Sequence, residues 1–518
     1  MKTDMQNKLT KKEQPTLNMW AVYGICLLIS SVFFFLFGFN SPIYPFNSDH
    51  DFNWFITMGR GLNAGKLPYR DLFEQKGPIV YFVMAFCCLF KNYNIAVLIV
   101  EIFCLSLFFF FAYRIAIKRL NIFYTITAIL VLALAIFTSW CRMRSADAIE
   151  EFCLPIYAYF LLCWLEFLTE KRSWNWVRAL CLGLCFGVLL WAKYTLVYFM
   201  IAPMIIWFIQ SIRAKQFRTI IFNILLMLLG IVIVTAPIIF YFAINHALHD
   251  LLHVYFIVNM TAYSNSDPLI VLKTLGLFFA IGPVVLVLIL WGVIRFAIKH
   301  WKERTGWLVL TAFIINLLLL SMTSKLITYY FIGLIPYAIL GAIDILDLIG
   351  KKFNPVNHQS WLLVGIAAVF ILITIPCSSL TYEIGRSRDS YAPLVIANTI
   401  HEYENKNHTK ATLCCYKIGD FGFYNTADII PNTYYFASNY ISDEKYPEMG
   451  QSFNSYAKNQ VCDFIITDEN TWNRDKDFLL QYYQPYSYEE NGEPTFYNYH
   501  QLHYFFYRNH KFILLIKK

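Results

Sequence analysis

The sequence predicts an α-helical polytopic membrane protein with a small α/β domain at its C-terminal end. Hydrophobic residues fill 58% of the 518 positions and charged residues only 15%, whereas a soluble chain carries roughly a quarter charged. Apolar runs able to cross a hydrocarbon core of roughly 30 Å recur between residues 20 and 380. From about Tyr382 polar residues become common and short β-type runs begin. The net charge of +8 sits in short loops between apolar runs and requires no nucleic acid. The aromatic share of 18% suits rings at a membrane interface.

Residues 1–19 form a polar tail with Lys8, Lys11 and Lys12 and no clean small-residue cleavage site, which reads as part of an uncleaved signal-anchor. Eleven apolar runs follow, near 20–39, 95–117, 121–140, 152–169, 176–193, 195–212, 219–243, 269–298, 305–323, 327–349 and 361–380. Basic groups around Arg114–Arg119, Lys171–Arg178, Arg213–Arg218, Arg295–Arg304 and Lys351–Lys352 fall at every second loop. Positive loops face the cytoplasm, so the N-terminus is expected inside and, after eleven spans, residues 381–518 outside. That gives a cytoplasmic tail (1–19), a transmembrane domain (20–380) and an extracytoplasmic domain (381–518) in a cytoplasmic membrane. The run Gly77–Phe90 is too short to span and, if it did, would send every later basic loop outside. It is expected to lie along the outer face instead.

In the outer domain, strands are expected over Ala411–Tyr416, Thr433–Ala437, Cys462–Thr467 and His503–Arg508, with helices over Pro393–Tyr403 and Asp475–Tyr483. The 13 cysteines lie mostly in apolar helices, where a thiol acts as a small hydrophobe. Cys414, Cys415 and Cys462 are able to pair in an oxidising compartment, but their spacing does not require it.

Chemistry concentrates in the outside loops. The first holds eight charges beside the bilayer: Asp49, Asp51, Arg60, Lys66, Arg70, Asp71, Glu74 and Lys76. Charge in that position is expensive and usually functional, and a carboxylate at the lip of a membrane cavity suits a general base. A second loop carries Arg142, Arg144, Asp147, Glu150 and Glu151. It reads either as a self-neutralising surface loop or as a site for an anionic headgroup. Lys193 sits in a tight turn between two spans, where it either snorkels or binds a ligand. Lys325 stands near Tyr329 and Tyr330, which are interfacial belt residues or the neighbours of a bound phosphate. His246, His249 and His253 share a helical face, and ordinary interfacial histidines explain them better than a metal site. No Walker loop, Ser/His/Asp signature or nucleotide fingerprint appears, which counts against ATP-driven transport.

The first loop resembles that of the GT-C superfamily of membrane glycosyltransferases, family 39 type, which includes protein O-mannosyltransferases and lipid A aminoarabinose transferases. The matching elements are Asp51, Gly59-Arg60-x-Leu62, Gly65-Lys66-Leu67-Pro68-Tyr69-Arg70-Asp71, and Glu74-Gln75-Lys76-Gly77-Pro78 with Tyr81. The likeness continues more loosely through Glu151–Pro155, Lys193 and the region of Lys325, Tyr329 and Tyr330. It implies a GT-C-like fold of about eleven transmembrane helices with juxtamembrane helices in the first outer loop. It also implies sugar transfer from a polyprenyl-phosphate donor, with Asp51 as base and donor phosphate held by Arg60, Lys76, Lys193 and Lys325, with Arg142 and Arg144 in reserve. Phe52 follows Asp51 where some members have Glu, so a second acid is expected from Asp49 or Glu151. No metal or other cofactor is expected. Membrane lipids and a cell-envelope polymer, lipid or protein acceptor are the expected partners, in a bacterial membrane. The competing reading is a flippase for a lipid-linked glycan, which should show repeated halves or broken helices in matching positions; no repeat is visible.

Overall fold

The structure is a computed structural model that describes residues 17–518 apart from 142, 172, 263–267, 323–324, 354–358, 378–382, 384, 439–440, 442–444 and 504–505. All eleven apolar runs are helical. The first is α1 (Met19–Phe37), and the first loop then forms two short helices, α2 (His50–Asn63) and α3 (Pro78–Cys87). There follow α4 (Tyr93–Ala116), α5 (Ile122–Phe137), α6 (Ile149–Glu170), α7 (Trp176–Ala192), α8 (Tyr198–Arg213) and α9 (Phe217–Ile244). Next come α10 (Ile270–Phe278), α11 (Pro283–Lys299), α12 (Thr305–Ser321), α13 (Ala338–Lys352) and α14 (Gln359–Thr374). A 3-10 stretch, Thr328–Tyr337, leads into α13.

Seven described helical segments are long and apolar enough to cross a membrane. Three expected spans, α5, α7 and α12, are only 16, 17 and 17 residues long. The expected continuous span 269–298 is two helices meeting at 97°. Gly282, at φ +107°, turns the chain there, and Pro283 opens α11. The run Gly77–Phe90 yields α3, ten residues long, and α3 packs directly on α2.

The C-terminal region comprises α15 (Ala392–Asn407), β1 (Leu413–Cys415), α16 (Pro447–Lys458), β2 (Phe464–Asp468), α17 (Glu469–Leu479), β3 (Tyr483–Pro485), β4 (Tyr497–His503) and β5 (Phe506–Lys517). The sheet runs β1-β2-β5-β3, with β4 also on β5. β1 and β2 are parallel and the other pairs antiparallel. The expected strand Thr433–Ala437 is irregular, because the Tyr434 carbonyl is engaged by Phe73 of the first loop rather than by a ladder. The expected helix 475–483 begins earlier, where the Asp468 carboxylate caps Thr471 N–H, and Tyr483 already belongs to β3. Cys414, Cys415 and Cys462 are buried free thiols.

Candidate functional site

α2 begins where the chain leaves α1, with Asp49 at its N-cap and Asp51 in its first turn, positions where the helix dipole favours carboxylates. Asp49 is buried. His50 lies between the two acids, Nδ1 3.9 Å from Asp49 Oδ1 and Nε2 3.5 Å from Asp51 Oδ1. The Tyr329 hydroxyl donates to Asp51 Oδ2 at 3.5 Å. This contact joins the first loop to the entry of α13, 278 residues away in sequence.

The segment Tyr69–Tyr81 folds around the main chain of Lys76. Glu74, fully buried, accepts from Lys76 N–H at 2.8 Å and from the Tyr81 hydroxyl. Tyr69 Oη donates to the Lys76 carbonyl at 2.6 Å. Tyr69 itself stands at φ +70°, a strained conformation for any residue but glycine, and Tyr69 N–H donates to Leu72 O at 2.8 Å. Arg70 pairs with Asp71 and reaches the Asn245 carbonyl, and its guanidinium holds the Asp71 carboxyl below its ordinary range. Gly77 then passes against the end of α7: its N–H donates to Ala192 O at 3.0 Å, and a Cβ there would overlap the Trp191 and Ala192 carbonyls. Glycine is required for this approach. It brings Lys76 beside Lys193.

Lys193, at the end of α7, donates to Glu150 Oε1 at 2.6 Å. Its ammonium lies 4.2 Å from the Tyr330 ring centre and 5.4 Å from that of Tyr329, within cation–π range. Burial pulls its pKa down; Glu150 raises it, Lys76 lowers it further, and Asp51 also raises it. Lys325 is lowered likewise, by burial first and then by Lys76 and Lys445. Lys76 thus lies close enough to both Lys193 and Lys325 to act on each, and Lys193 is also within reach of Asp51. Such a cluster suits a multiply charged anion.

Other expected site residues lie elsewhere. Arg60 donates to the Tyr424 carbonyl at 2.9 Å and to Asp428, so its guanidinium serves the C-terminal domain. Arg144 lies over the Phe39 ring at 5.8 Å, and its carbonyl accepts from Phe39 N–H. Arg142 is outside the described residues. Glu151 turns toward Glu101 on α4, which accepts from Asn40, while its neighbour Glu150 enters the lysine cluster. Asp147, Glu150 and Glu151 are all buried, so their loop is not a solvated surface. His249 and His253 stack at 5.9 Å, and among the described residues no three His, Cys, Asp or Glu side chains converge as metal ligands. Sequence reasoning missed His50, and named Glu150 only as one charge of its loop while choosing Glu151 as an acidic partner. His50 sits between two aspartates in the chain. Adjacent helix residues point about 100° apart, so Glu150 and Glu151 necessarily diverge.

Residues 75–241 match the family described as dolichyl-phosphate-mannose-protein mannosyltransferase. That stretch contains Lys76, Glu150 and Lys193 but not Asp51 or Lys325. Among solved structures, the ArnT of Cupriavidus metallidurans bound to undecaprenyl phosphate is similar over 95% of this chain and 97% of its own, with TM-score 0.57 and 12% identity. The apo oligosaccharyltransferase of Archaeoglobus fulgidus matches 92% of this chain and 74% of its own, with TM-score 0.49 and 14% identity. No curated protein sequence matches. The chain shares the fold of that ArnT. In residues 75–241 it resembles the mannosyltransferase family.

Proposed function

We propose that this protein transfers a sugar from a polyprenyl-phosphate donor to an acceptor at the membrane face bearing the C-terminal domain. The observation that carries the reading is that Lys193 lies over the Tyr329 and Tyr330 rings while Tyr329 donates to Asp51, with Lys76 brought alongside by Gly77 on the end of α7. The donor phosphate occupies the lysine cluster. Asp51 takes the proton of an acceptor hydroxyl or amine as that atom attacks the anomeric carbon from the side opposite the phosphate. The bond between the anomeric carbon and phosphate oxygen breaks, and its electron pair leaves with the lipid phosphate. The lysines stabilise the growing charge on that phosphate, and the anomeric centre inverts.

Two findings support this reading. A protein of the same fold was solved with undecaprenyl phosphate, a lipid phosphate of the kind the proposed reaction releases. Basic residues lie at the far ends of α4, α8, α11 and α13 from Asp51, as expected if the site faces out and the N-terminus lies in the cytoplasm of a bacterium.

Asp51→Asn, purified as folded full-length protein, is expected to lose transfer by about 10²–10⁴-fold while donor binding persists. Transfer from a polyprenyl-phosphate sugar at the wild-type rate would refute the assignment.

A further inference from the structure

One face of α2 is engaged by the C-terminal domain while Asp51, outside that row, meets Tyr329. His50, Asn53, Thr57 and Arg60 follow at intervals of three, four and three residues, so they line a single helical face. All four meet the turn that follows β1. The Phe421 ring lies 5.9 Å from His50. Asn425 Nδ2 donates to the Asn53 carbonyl at 2.9 Å and to Asn53 Oδ1 at 3.2 Å. The Thr57 hydroxyl donates to Asp420 Oδ2 at 2.9 Å and lies 3.1 Å from Asn425 Oδ1. Arg60 closes the row on the Tyr424 carbonyl and Asp428.

The turn is itself built rigidly. Asp420 Oδ1 accepts from Gly422 N–H at 2.8 Å and Phe423 N–H at 2.9 Å. Gly422 has φ +99°, and a Cβ there would press on Phe46 and Asn53. Asp420, Thr57 and Asn53 are essentially without solvent contact, so their hydrogen bonds are directional and costly to misalign.

The same domain holds the loop at two further points. Tyr499 Oη donates to the Ser48 carbonyl at 3.0 Å, just ahead of Asp49. Phe73 N–H donates to Tyr434 O, and the Phe73 ring sits among Tyr434, Tyr435 and Tyr446 at 5.0–5.7 Å. Phe73 lies three residues before Lys76 in the chain.

We propose that the C-terminal domain sets the rotation of α2 through this turn, with Asp420, Asn425 and Asp428 as positioning residues that aim Asp51 at its acceptor. The inference rests on the transfer reaction proposed above. Thr57 is about 9 Å along the helix from Asp51, so these groups act through α2 rather than on the reacting atoms. A displacement of about 1 Å in a reacting group costs up to about 100-fold in rate, whereas the lysine cluster that binds donor stays in place.

The test uses the full-length protein with undecaprenyl-phosphate mannose as donor, released polyprenyl phosphate as the rate readout, and amide exchange over residues 50–63. Thr57→Val keeps the shape and removes the hydroxyl; it is expected to lower kcat by about tenfold or more, leave donor KM unchanged and speed exchange. Thr57→Ser is expected to restore all three. Asp428→Asn, at a solvent-exposed position, is expected to fold normally and to give a smaller loss of the same kind. Wild-type kcat in both Thr57→Val and Asp428→Asn overturns the proposal, as does a change confined to KM, or faster exchange with kcat unchanged. If Asp51→Asn is inactive while Thr57→Val is fully active, the positioning role fails and the transfer reaction stands. If the wild-type chain does not consume this donor, exchange alone decides, and unchanged exchange overturns the proposal.

Discussion

At the basic end of the helix bundle, cations sit against carboxylates. Lys118 bridges Glu166 and Glu170, Arg178 also meets Glu166, and Arg295 and Lys299 share Asp344. A cavity of about 210 Å³ opens among these residues. At the Asp51 end, by contrast, Lys76 lies 3.8 Å from Glu74, Lys193 is held by Glu150, and Lys325 feels Lys76 and Lys445. The first arrangement ties helix ends together through direct ion pairs. The second sets Lys193 against two tyrosine rings, one of whose hydroxyls donates to Asp51. The comparison sets charge that joins helices against charge gathered around the proposed base.

Substitutions at the two ends should therefore differ in transfer per folded molecule. The largest effect is expected from Lys193→Met, which removes one cation from the leaving-group side and should cut transfer per folded molecule by about 10²–10³-fold; it also strips the buried Glu150 of its cation, so the melting temperature should fall as well. Gly77→Ala should follow, since its Cβ overlaps two carbonyls of α7; overpacking of about 1–3 kcal/mol and a displaced Lys76 should lower both stability and kcat. At the other end, Glu166→Gln takes the carboxylate from Arg178 while Lys118 keeps Glu170, a change that should cost about 1–3 kcal/mol. Thermal unfolding should show that loss while kcat per folded molecule is kept. A Glu166→Gln protein that folds normally but loses transfer would erase the distinction.

A smaller effect concerns pH. Burial raises the Asp420 carboxyl from its ordinary 3.8 to about 6. A raised carboxyl binds its proton more tightly in the folded chain than in the unfolded one, so its contribution is most favourable below about pH 4. Stability should fall as pH rises toward about 6 and then level off. Asp420→Asn should flatten that slope, measured as melting temperature against pH. The smallest effect is expected from EDTA, which should leave transfer unchanged.

Much of the architecture was legible because membrane insertion imposes long apolar runs and basic loops on the sequence itself. The short helix α3 was legible for the same reason, since Gly77–Phe90 is too short to span, whereas α2 was expected only from the family resemblance. Within the site, Asp51, Lys76, Lys193 and Tyr329 could be singled out because ionisable and hydroxyl groups beside a bilayer need a purpose. Arg60 was harder to read. Its charge suggested a phosphate ligand, but its direction depends on a helical face that docks against residues 424–428. Glu150 and Glu151 are chemically identical neighbours, and only the packing of α6 between α4 and Lys193 tells them apart.

The sequence by itself determined a polytopic helical chain with a charged first loop, because hydropathy and charge alternation are local properties read residue by residue. Only the tertiary structure decided which charges meet. Asp51 and Tyr329 are 278 residues apart, and Thr57 and Asp420 are 363 apart. Contacts at that separation follow from how helices and the C-terminal sheet pack, not from any local pattern.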